Sequence, residues 1–207
     1  MAYFSVITPS WNQAKFLKGC IESVLGQNDP DFEHLIFDNC SEDGSAEIAS
    51  EFSHLKFVRE KDRGQSDAVN KGFRHTTGDV MAWLNSDDVY FPWTLKTVGS
   101  IFAQLTDVSW LSSLEQTRID YQGYCLGSER VAGFSREAFA EGCYVANPGR
   151  RGWFLGWIQQ ESTFWRRSLW NAAGAEVRSH YSLAGDFDLW ARFYRHAELF
   201  EIGRAHV

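Results

Sequence analysis

With 207 residues, 44% of them apolar, the chain has enough material for one well-buried α/β domain and too little for two. A formal net charge of −7 leaves no basic face to displace counterions from phosphates, which argues against nucleic acid as a partner. No apolar run approaches the roughly 18 to 20 residues that span a bilayer, and Met1 to Val6 lacks the basic and long apolar regions of a signal peptide, so the expectation is a cytoplasmic protein without a transmembrane segment, open to peripheral membrane association only.

Phe4 to Thr8 reads as a buried strand that Pro9-Ser10-Trp11-Asn12, residues suited to turns and N-caps, then breaks. Leu17, Ile21, Val24 and Leu25 follow at helical spacing. Phe32 to Phe37 is a second apolar run; it ends in the polar loop Asp38 to Gly44, which opens a helix through Ile48 and Phe52. A short strand around Leu55 to Val58 leads to a helix from about Gln65 to His75, with Ala68, Val69, Gly72 and Phe73 facing inward, and Thr77-Gly78-Asp79 turns the chain into a strand at Val80. Strands alternating with helices indicate a parallel sheet with right-handed crossovers, which lays the ends of successive strands along one rim. That rim collects Thr8 to Asn12, Asp38, Asp62 to Asp67 and Asn85 to Asp88.

The stretch Val80 to Asp88 is an apolar strand running straight into paired carboxylates. Ligands of an open α/β sheet bind just beyond the carboxyl ends of its strands. Asp87 and Asp88 repel each other there unless a cation compensates, and a hard divalent ion with oxygen ligands, suited to a diphosphate, is the natural occupant. After a helix near Trp93 to Leu105 the pattern loosens: Arg118 to Tyr124 reads as a hairpin and Asn147 to Gly152 as a loop. Regular pattern returns from Gly156 to Trp165, with short helices after Arg167 and from Asp186 to about Arg195. Cys20, Cys40, Cys125 and Cys143 are widely spaced without Cys-x-x-Cys, so reduced thiols are expected. Residues 201–207 are set apart: Ile202 to Val207 is what ATC GGA AGA GCA CAC GTC encodes, a string matching a common sequencing-library adapter, which predicts a non-native tail on a natural chain cut off near Phe200.

In order along the chain, Val6 to Asn12, Phe37 to Gly44, Asp62 to Gly72, Gly78-Asp79, Leu84 to Asp88, Gln160 to Arg167 and Ala184 to Trp190 form a set of landmarks that resembles inverting glycosyltransferase family 2, whose members have the GT-A fold. The resemblance implies a Rossmann-like α/β domain over residues 1–200 with a mostly parallel central sheet flanked by helices, its nucleotide-binding half about 1–105 and its acceptor half about 106–200. It implies transfer of a sugar from a nucleoside diphosphate sugar to a hydroxyl of a saccharide or lipid-linked saccharide, in bacterial surface or exopolysaccharide assembly. By that similarity Pro9, Ser10, Trp11 and Asn12 border the nucleoside, Asp38 contacts the base, and Asp67 lies by the donor. Asn85 to Asp88, with Ser86, occupies the family's Asp-x-Asp position for manganese or magnesium, and Asp186 matches its catalytic base. Asn85 departs from the pattern: its amide is a weaker, uncharged ligand, so metal duty falls on Asp87 and Asp88.

Each site residue also has a plainer role to play. Asp38 caps its loop, Asp67 is a first-turn helix acid, and Asp188 rivals Asp186 as the base. A helix N-terminus is expected to keep Asp186 ionised. His34, His54, His75, His180 and His196 read as surface or capping residues; Trp153, Trp157 and Trp165 divide between core and a sugar platform, and Arg150-Arg151 reads as solvated loop. Competing functions are an inactive sugar-nucleotide-binding fragment and a sugar nucleotidyltransferase, though Pro9 to Lys18 lacks the Gly-rich basic loop the latter needs.

Overall fold

A computed structural model describes residues 2–27, 31–120, 122–131, 133–144, 156–181 and 184–203. In chain order the elements are β1 (Tyr3–Ser10), α1 (Ala14–Leu25), β2 (Asp31–Asp38), α2 (Ser45–Ser50), β3 (Leu55–Arg59), α3 (Gln65–Arg74), β4 (Val80–Trp83) and α4 (Thr94–Gln104). They continue with β5 (Trp110–Ser113), β6 (Glu115–Ile119), β7 (Cys125–Arg130), α5 (Arg136–Ala140), a 3₁₀ turn at Gln160–Ser162, β8 (Phe164–Arg166), α6 (Arg167–Ala172), α7 (Gly185–Phe193) and β9 (Phe200–Ile202). Seven strands form one sheet in the order β3-β2-β1-β4-β8-β5-β9, and β6 with β7 forms a separate ribbon.

The first four strands are parallel, with Phe4 opposite both Phe32 and Val80. Their near-continuous apolar content suits a sheet buried on both faces. Side chains alternate between two cores: Phe4 and Val6 pack with Val24, Leu95 and Val98, while Ile7 packs with Val69, Phe73 and Trp165 on the other face. Gly72 lets α3 lie close on β1, since a Cβ there would stand 2.6 Å from Ile7 Cγ2. The inward residues expected for this helix, Ala68, Val69, Gly72 and Phe73, are all buried, and Asp67 with them.

One expectation about the sheet needs correction. β1 does not break at Pro9 but runs on through Ser10, with Pro9 opposite Phe37 and Ser10 opposite Asp38. Ile7 O accepts from Leu84 N and Ser10 O from Asn39 N; by the alternation of the ladder Pro9 faces the β4 side, beyond the last β1–β4 pair. Its missing N–H therefore breaks no ladder bond. The sheet is mostly parallel, as expected; the exception is β8, which runs antiparallel between β4 and β5, with Ala82 opposite Phe164 and Leu111 opposite Phe164. The hairpin expected at Arg118 to Tyr124 is the tip of the longer β6–β7 ribbon. Glu201 and Ile202 lie in β9, paired with Ser112 and Ser113, and Glu201 accepts a hydrogen bond from Phe134 N. Arg204 to Val207, Arg150, Arg151 and Trp153 lie outside the described residues. Among the described residues no helix is long and apolar enough to cross a membrane, and all four cysteines are free thiols.

His34 is not a surface residue. It sits buried in β2 with its Nε2 3.0 Å from Thr8 Oγ1, and burial, reinforced by nearby His54, pushes its pKa down to about 3. The unfolded chain binds this proton at a pKa of about 6.5, so between those values the unfolded state holds more protons and stability falls as pH falls. Urea unfolding at pH 7 and pH 5 should show a smaller acid loss in His34→Gln, which keeps a donor for Thr8 but does not titrate; equal losses in both proteins would remove His34 from the acid response.

Candidate active site

The rim begins where β1 and β2 end. Asp38 is fully buried, and its carboxylate accepts from Ser41 N at 2.7 Å and Ser41 Oγ at 2.5 Å. Ser41 Oγ in turn accepts from Asn12 N at 2.8 Å, and Asn12 Oδ1 accepts from Glu42 N at 3.1 Å, so the two loops are laced together. Asn12 and Cys40 both hold left-handed backbone, at φ 53° and 56°. Pro9 and Ser10 are buried, whereas Trp11 is 63% exposed beside them. Among the described residues Ser10 Oγ has no hydrogen-bond partner. The loop before α3 joins this rim through Asn39 Oδ1, which accepts from Asp62 N at 3.0 Å.

Asp67 is buried in the first turn of α3 and accepts from Arg63 N at 3.1 Å and Arg63 Nη2 at 3.2 Å, with Lys71 Nζ 3.7 Å away. The Arg63 hydrogen bond leads the effects that hold its pKa below the usual carboxylate range. Its charge is thus already compensated, which is the behaviour of a first-turn helix acid.

Beyond β4, Asn85 Oδ1 accepts from Gln65 Nε2 at 2.8 Å and from Trp83 Nε1 at 3.0 Å. Both lone pairs of that oxygen are used. Asn85 therefore ties α3 to the carboxylate loop rather than presenting a free oxygen. Ser86 is buried, Asp87 exposed and Asp88 half-buried. The segment that follows is pinned to α1: Ser23 Oγ accepts from Tyr90 N, Gln27 Nε2 donates to Phe91 O, and Gln27 Oε1 accepts from Leu95 N at 2.9 Å, capping the start of α4.

A residue given no individual role in the sequence joins this loop. Gln160 Nε2 donates to Trp83 O, which fixes the turn before antiparallel β8 against the end of β4 and brings in Glu161. Burial pushes Asp88 up to about 7, helped by Glu161 and Asp87; burial likewise raises Glu161, with Asp186 and Asp87 adding to it. The only prior sign of Glu161 was its place within the Gln160 to Arg167 landmark, because a carboxylate after an irregular stretch carries no periodic signal. Asp87, Asp88, Glu161 and Asp186 form an acidic group with no Lys or Arg ion pair among the described residues. No three His, Cys, Asp or Glu side chains among the described residues converge closely enough to hold an ion unaided.

Asp186 opens α7. Gly185 lets this helix approach α3, for a Cβ there would lie 2.9 Å from Val177 Cγ1 and 3.1 Å from Ser66 Oγ. Asn70 clamps the preceding chain, its Oδ1 accepting from Val177 N at 2.7 Å and its Nδ2 donating to Val177 O at 2.8 Å. Burial raises the pKa of Asp186, opposed by the N–H of Phe187 at 2.8 Å; burial outweighs the lowering expected from a helix terminus. Asp188 is differently placed: it pairs with Arg192 at 2.9 Å and Arg178 at 3.4 Å, while Arg192 also donates to the carbonyls of Ala173 and Glu176. It is a structural brace. Trp165 is wholly buried in the core, whereas Trp157 is half-exposed.

Residues 5–139 match the profile of glycosyl transferase family 2. The chain belongs to this family. The glycosyl transferase match is accompanied by 36% identity over 109 residues to an uncharacterized glycosyltransferase of Nostoc sp., covering 50% of this chain and 34% of that protein. The putative teichuronic acid biosynthesis glycosyltransferase TuaG of Bacillus subtilis is 36% identical over 90 residues, covering 41% of this chain and 35% of that protein. The chain therefore spans about a third of the length of these curated relatives. Among solved structures, S. aureus TarS 1-349 in complex with UDP-GlcNAc superposes with a TM-score of 0.70 at 17% identity, covering 99% of this chain and 59% of TarS 1-349. The mannosyltransferase PcManGT from Pyrobaculum calidifontis, in complex with GDP-Man and Mn2+, gives 0.68 at 17% identity, covering 97% of this chain and 54% of that one. The fold is GT-A-like, a mostly parallel central sheet flanked by helices.

Cys40 offers a test of the rim's backbone. Left-handed backbone costs a side-chain-bearing residue about 1–2 kcal/mol, and a β-branched one more. Cys40→Val is expected to lose about that much stability in urea unfolding while Cys40→Gly loses none; equal stability of the two would mean that the loop does not hold this conformation.

Proposed function

We propose that the chain is a glycosyltransferase that moves a sugar from a nucleoside diphosphate donor to an acceptor hydroxyl with inversion at the anomeric carbon, in bacterial cell-surface or exopolysaccharide synthesis. The observation that carries this reading is the uncompensated acidic group of Asp87, Asp88, Glu161 and Asp186 beside a rim of loops from β1, β2 and α3. The surface setting rests on relatives such as TuaG, whose name places it in teichuronic acid biosynthesis.

On the donor side, Trp11 offers an exposed ring for the base and Ser10 a buried hydroxyl without a partner among the described residues. Asp38 shapes the loop below this ring through Ser41. The donor set beyond β4 fits a manganese or magnesium ion. Asp87 and Asp88 would supply one or two carboxylates, with diphosphate oxygens and water completing the shell, as such ions commonly require. When bound, the ion would offset the charge of the departing diphosphate.

Asp186 is the base in this reading. The acceptor oxygen bonds to the anomeric carbon as the carbon–oxygen bond to the diphosphate breaks, and the hydroxyl proton passes to the Asp186 carboxylate. A base whose pKa is lifted by burial accepts a proton more readily near neutrality. Asp188 is unsuited, being bound to two arginines.

Two variants test the assignment. Asp186→Asn is expected to leave donor binding nearly intact and to lower transfer by about 10²-fold or more; transfer at the original rate would place the base elsewhere. Asp87→Asn should weaken manganese-dependent binding of a nucleoside diphosphate in calorimetric titration, and an unchanged affinity and metal dependence would take Asp87 out of the site.

A further inference from the structure

α3 meets two parts of the site that are far apart in sequence. Its first residue reaches the carboxylate loop, Gln65 Nε2 donating to Asn85 Oδ1 at 2.8 Å. One position on, Ser66 abuts the helix that carries the base, its Oγ 3.1 Å from where a Cβ of Gly185 would stand. Asn70 follows Ser66 by four residues and so shares its face of the helix. There its amide takes both the N–H of Val177, at 2.7 Å, and the C=O of the same residue, at 2.8 Å. Gly72 seats the helix closely on β1. α3 is thus fixed to the sheet, joined near its start to the Asp87–Asp88 loop and one turn later to the approach to Asp186.

The tie at Val177 differs in kind from the others that hold α7. Arg192 donates to Ala173 O and Glu176 O, and Asp188 pairs with Arg192 and Arg178. These bonds bind the helix to the chain just before it, and they survive a shift of that whole unit. Leu189, Trp190 and Phe193 pack in the core with Val69 and Phe73, but apolar contact is non-directional and leaves a helix free to slide. Among the described residues, the hydrogen bonds that join this unit to α3 are the two made by Asn70. An amide suits the task because it offers a donor and an acceptor side by side, as a peptide group does, whereas a carboxylate only accepts. From Ala173 to Tyr181 the chain forms no helix or strand, so its place along α3 is set by this clamp rather than by a ladder.

We propose that Asn70 is a positioning residue for the transfer step and that α3 is the gauge that sets the separation between the Asp87–Asp88 loop and the base. The proposal rests on the glycosyltransferase reading with Asp186 as base, and adds the residue that aims it. Inversion needs the attacking hydroxyl to stand opposite the departing diphosphate, so the base and the carboxylate loop must keep a fixed distance across the sugar. Gln65 and Asn70 are five residues apart, about 7.5 Å along a helix axis, and the helix imposes that spacing on both. Misplacing a reacting group by about 1 Å costs on the order of 10²-fold in rate. Loss of the clamp is therefore felt in the rate and not in donor affinity, because Trp11, Asp38 and Asp87 stand on loops after β1, β2 and β4.

The test joins amide hydrogen exchange to a double-mutant cycle on the full chain. In Asn70→Ala, exchange at Val177 and in α7 should accelerate about tenfold or more while β1 and β4 keep their rates, and calorimetric affinity for UDP or GDP with manganese should stay within about twofold. Hydrolysis of UDP-glucose, UDP-N-acetylglucosamine and GDP-mannose, with water as the acceptor, is then followed by the nucleoside diphosphate released. Asn70→Ala should lower kcat by about 10- to 100-fold with donor KM unchanged. In an Asp186→Asn background the same substitution should cost less than about twofold, since a residue that acts through Asp186 then has nothing left to aim. Asn70→Asp keeps the size and the acceptor for Val177 N but loses the donor, and it goes through the same cycle should Asn70→Ala fail to fold. Equal losses in the two backgrounds, a loss carried by KM, or unchanged exchange around α7 overturns the proposal. No hydrolysis of any donor by the unaltered chain, with exchange changed as expected, counts against the glycosyltransferase reading and not against the clamp.

Discussion

Negative charge crowded at the end of β4 is the constraint around which this molecule is arranged. Asp87, Asp88, Glu161 and Asp186 come from three separate parts of the chain, and burial with mutual repulsion lifts the pKa of Asp88 to about 7. Like charges at such distances favour protonation or a bound cation. A chain free to relax would move them apart, and three neutral polar braces hold the segments that carry them. Asn85 bridges Gln65 and Trp83 at the foot of the Asp87–Asp88 loop; Gln160 anchors the Glu161 turn to Trp83 O; Asn70 clamps Val177 ahead of the Asp186 helix. None of these braces brings a positive charge, and the charged brace at Asp188 serves the far side of α7.

The same arrangement explains a departure from a regular doubly wound sheet. Inserting β8 antiparallel between β4 and β5 makes the chain approach the rim just before Phe164, and so delivers Glu161 to the end of β4. A parallel strand in that place would have delivered the residues after Arg166 instead. Asn85 also has a structural part: its amide oxygen accepts from both Gln65 and Trp83 and so ties α3 and the end of β4 to the loop that carries Asp87 and Asp88.

β4 also divides the site. Loops after β1 and β2 are hydrogen-bonded to one another through Asn12, Ser41 and Asp38, forming a pre-shaped ledge. On the opposite side stand the β6–β7 ribbon and the segment leading into α4, a surface made by exposed apolar side chains rather than by backbone loops.

Local pattern sufficed for the first half of the chain. Short apolar runs and helical spacing placed β1 to β4, α1 and α3, and the expected inward residues of α3 lie on its buried face, because the parallel sheet buries whole strands and a helix stripe between them. The ordered landmarks also identified the family to which the chain belongs. Other features depended on contacts remote in sequence. Pro9 reads as a breaker until the end of β4 leaves its ring side unpaired, and His34 reads as a surface residue until Thr8 and the sheet enclose it. Glu161 gains its place only from the antiparallel pairing of β8, and Asp186 separates from Asp188 only when Arg178 and Arg192 are seen to claim the latter. Sequence determines which residue types are available and how each segment prefers to fold, since those are short-range properties. Which charges remain uncompensated is decided by long-range packing, because compensation depends on partners that the chain brings together only once it is folded.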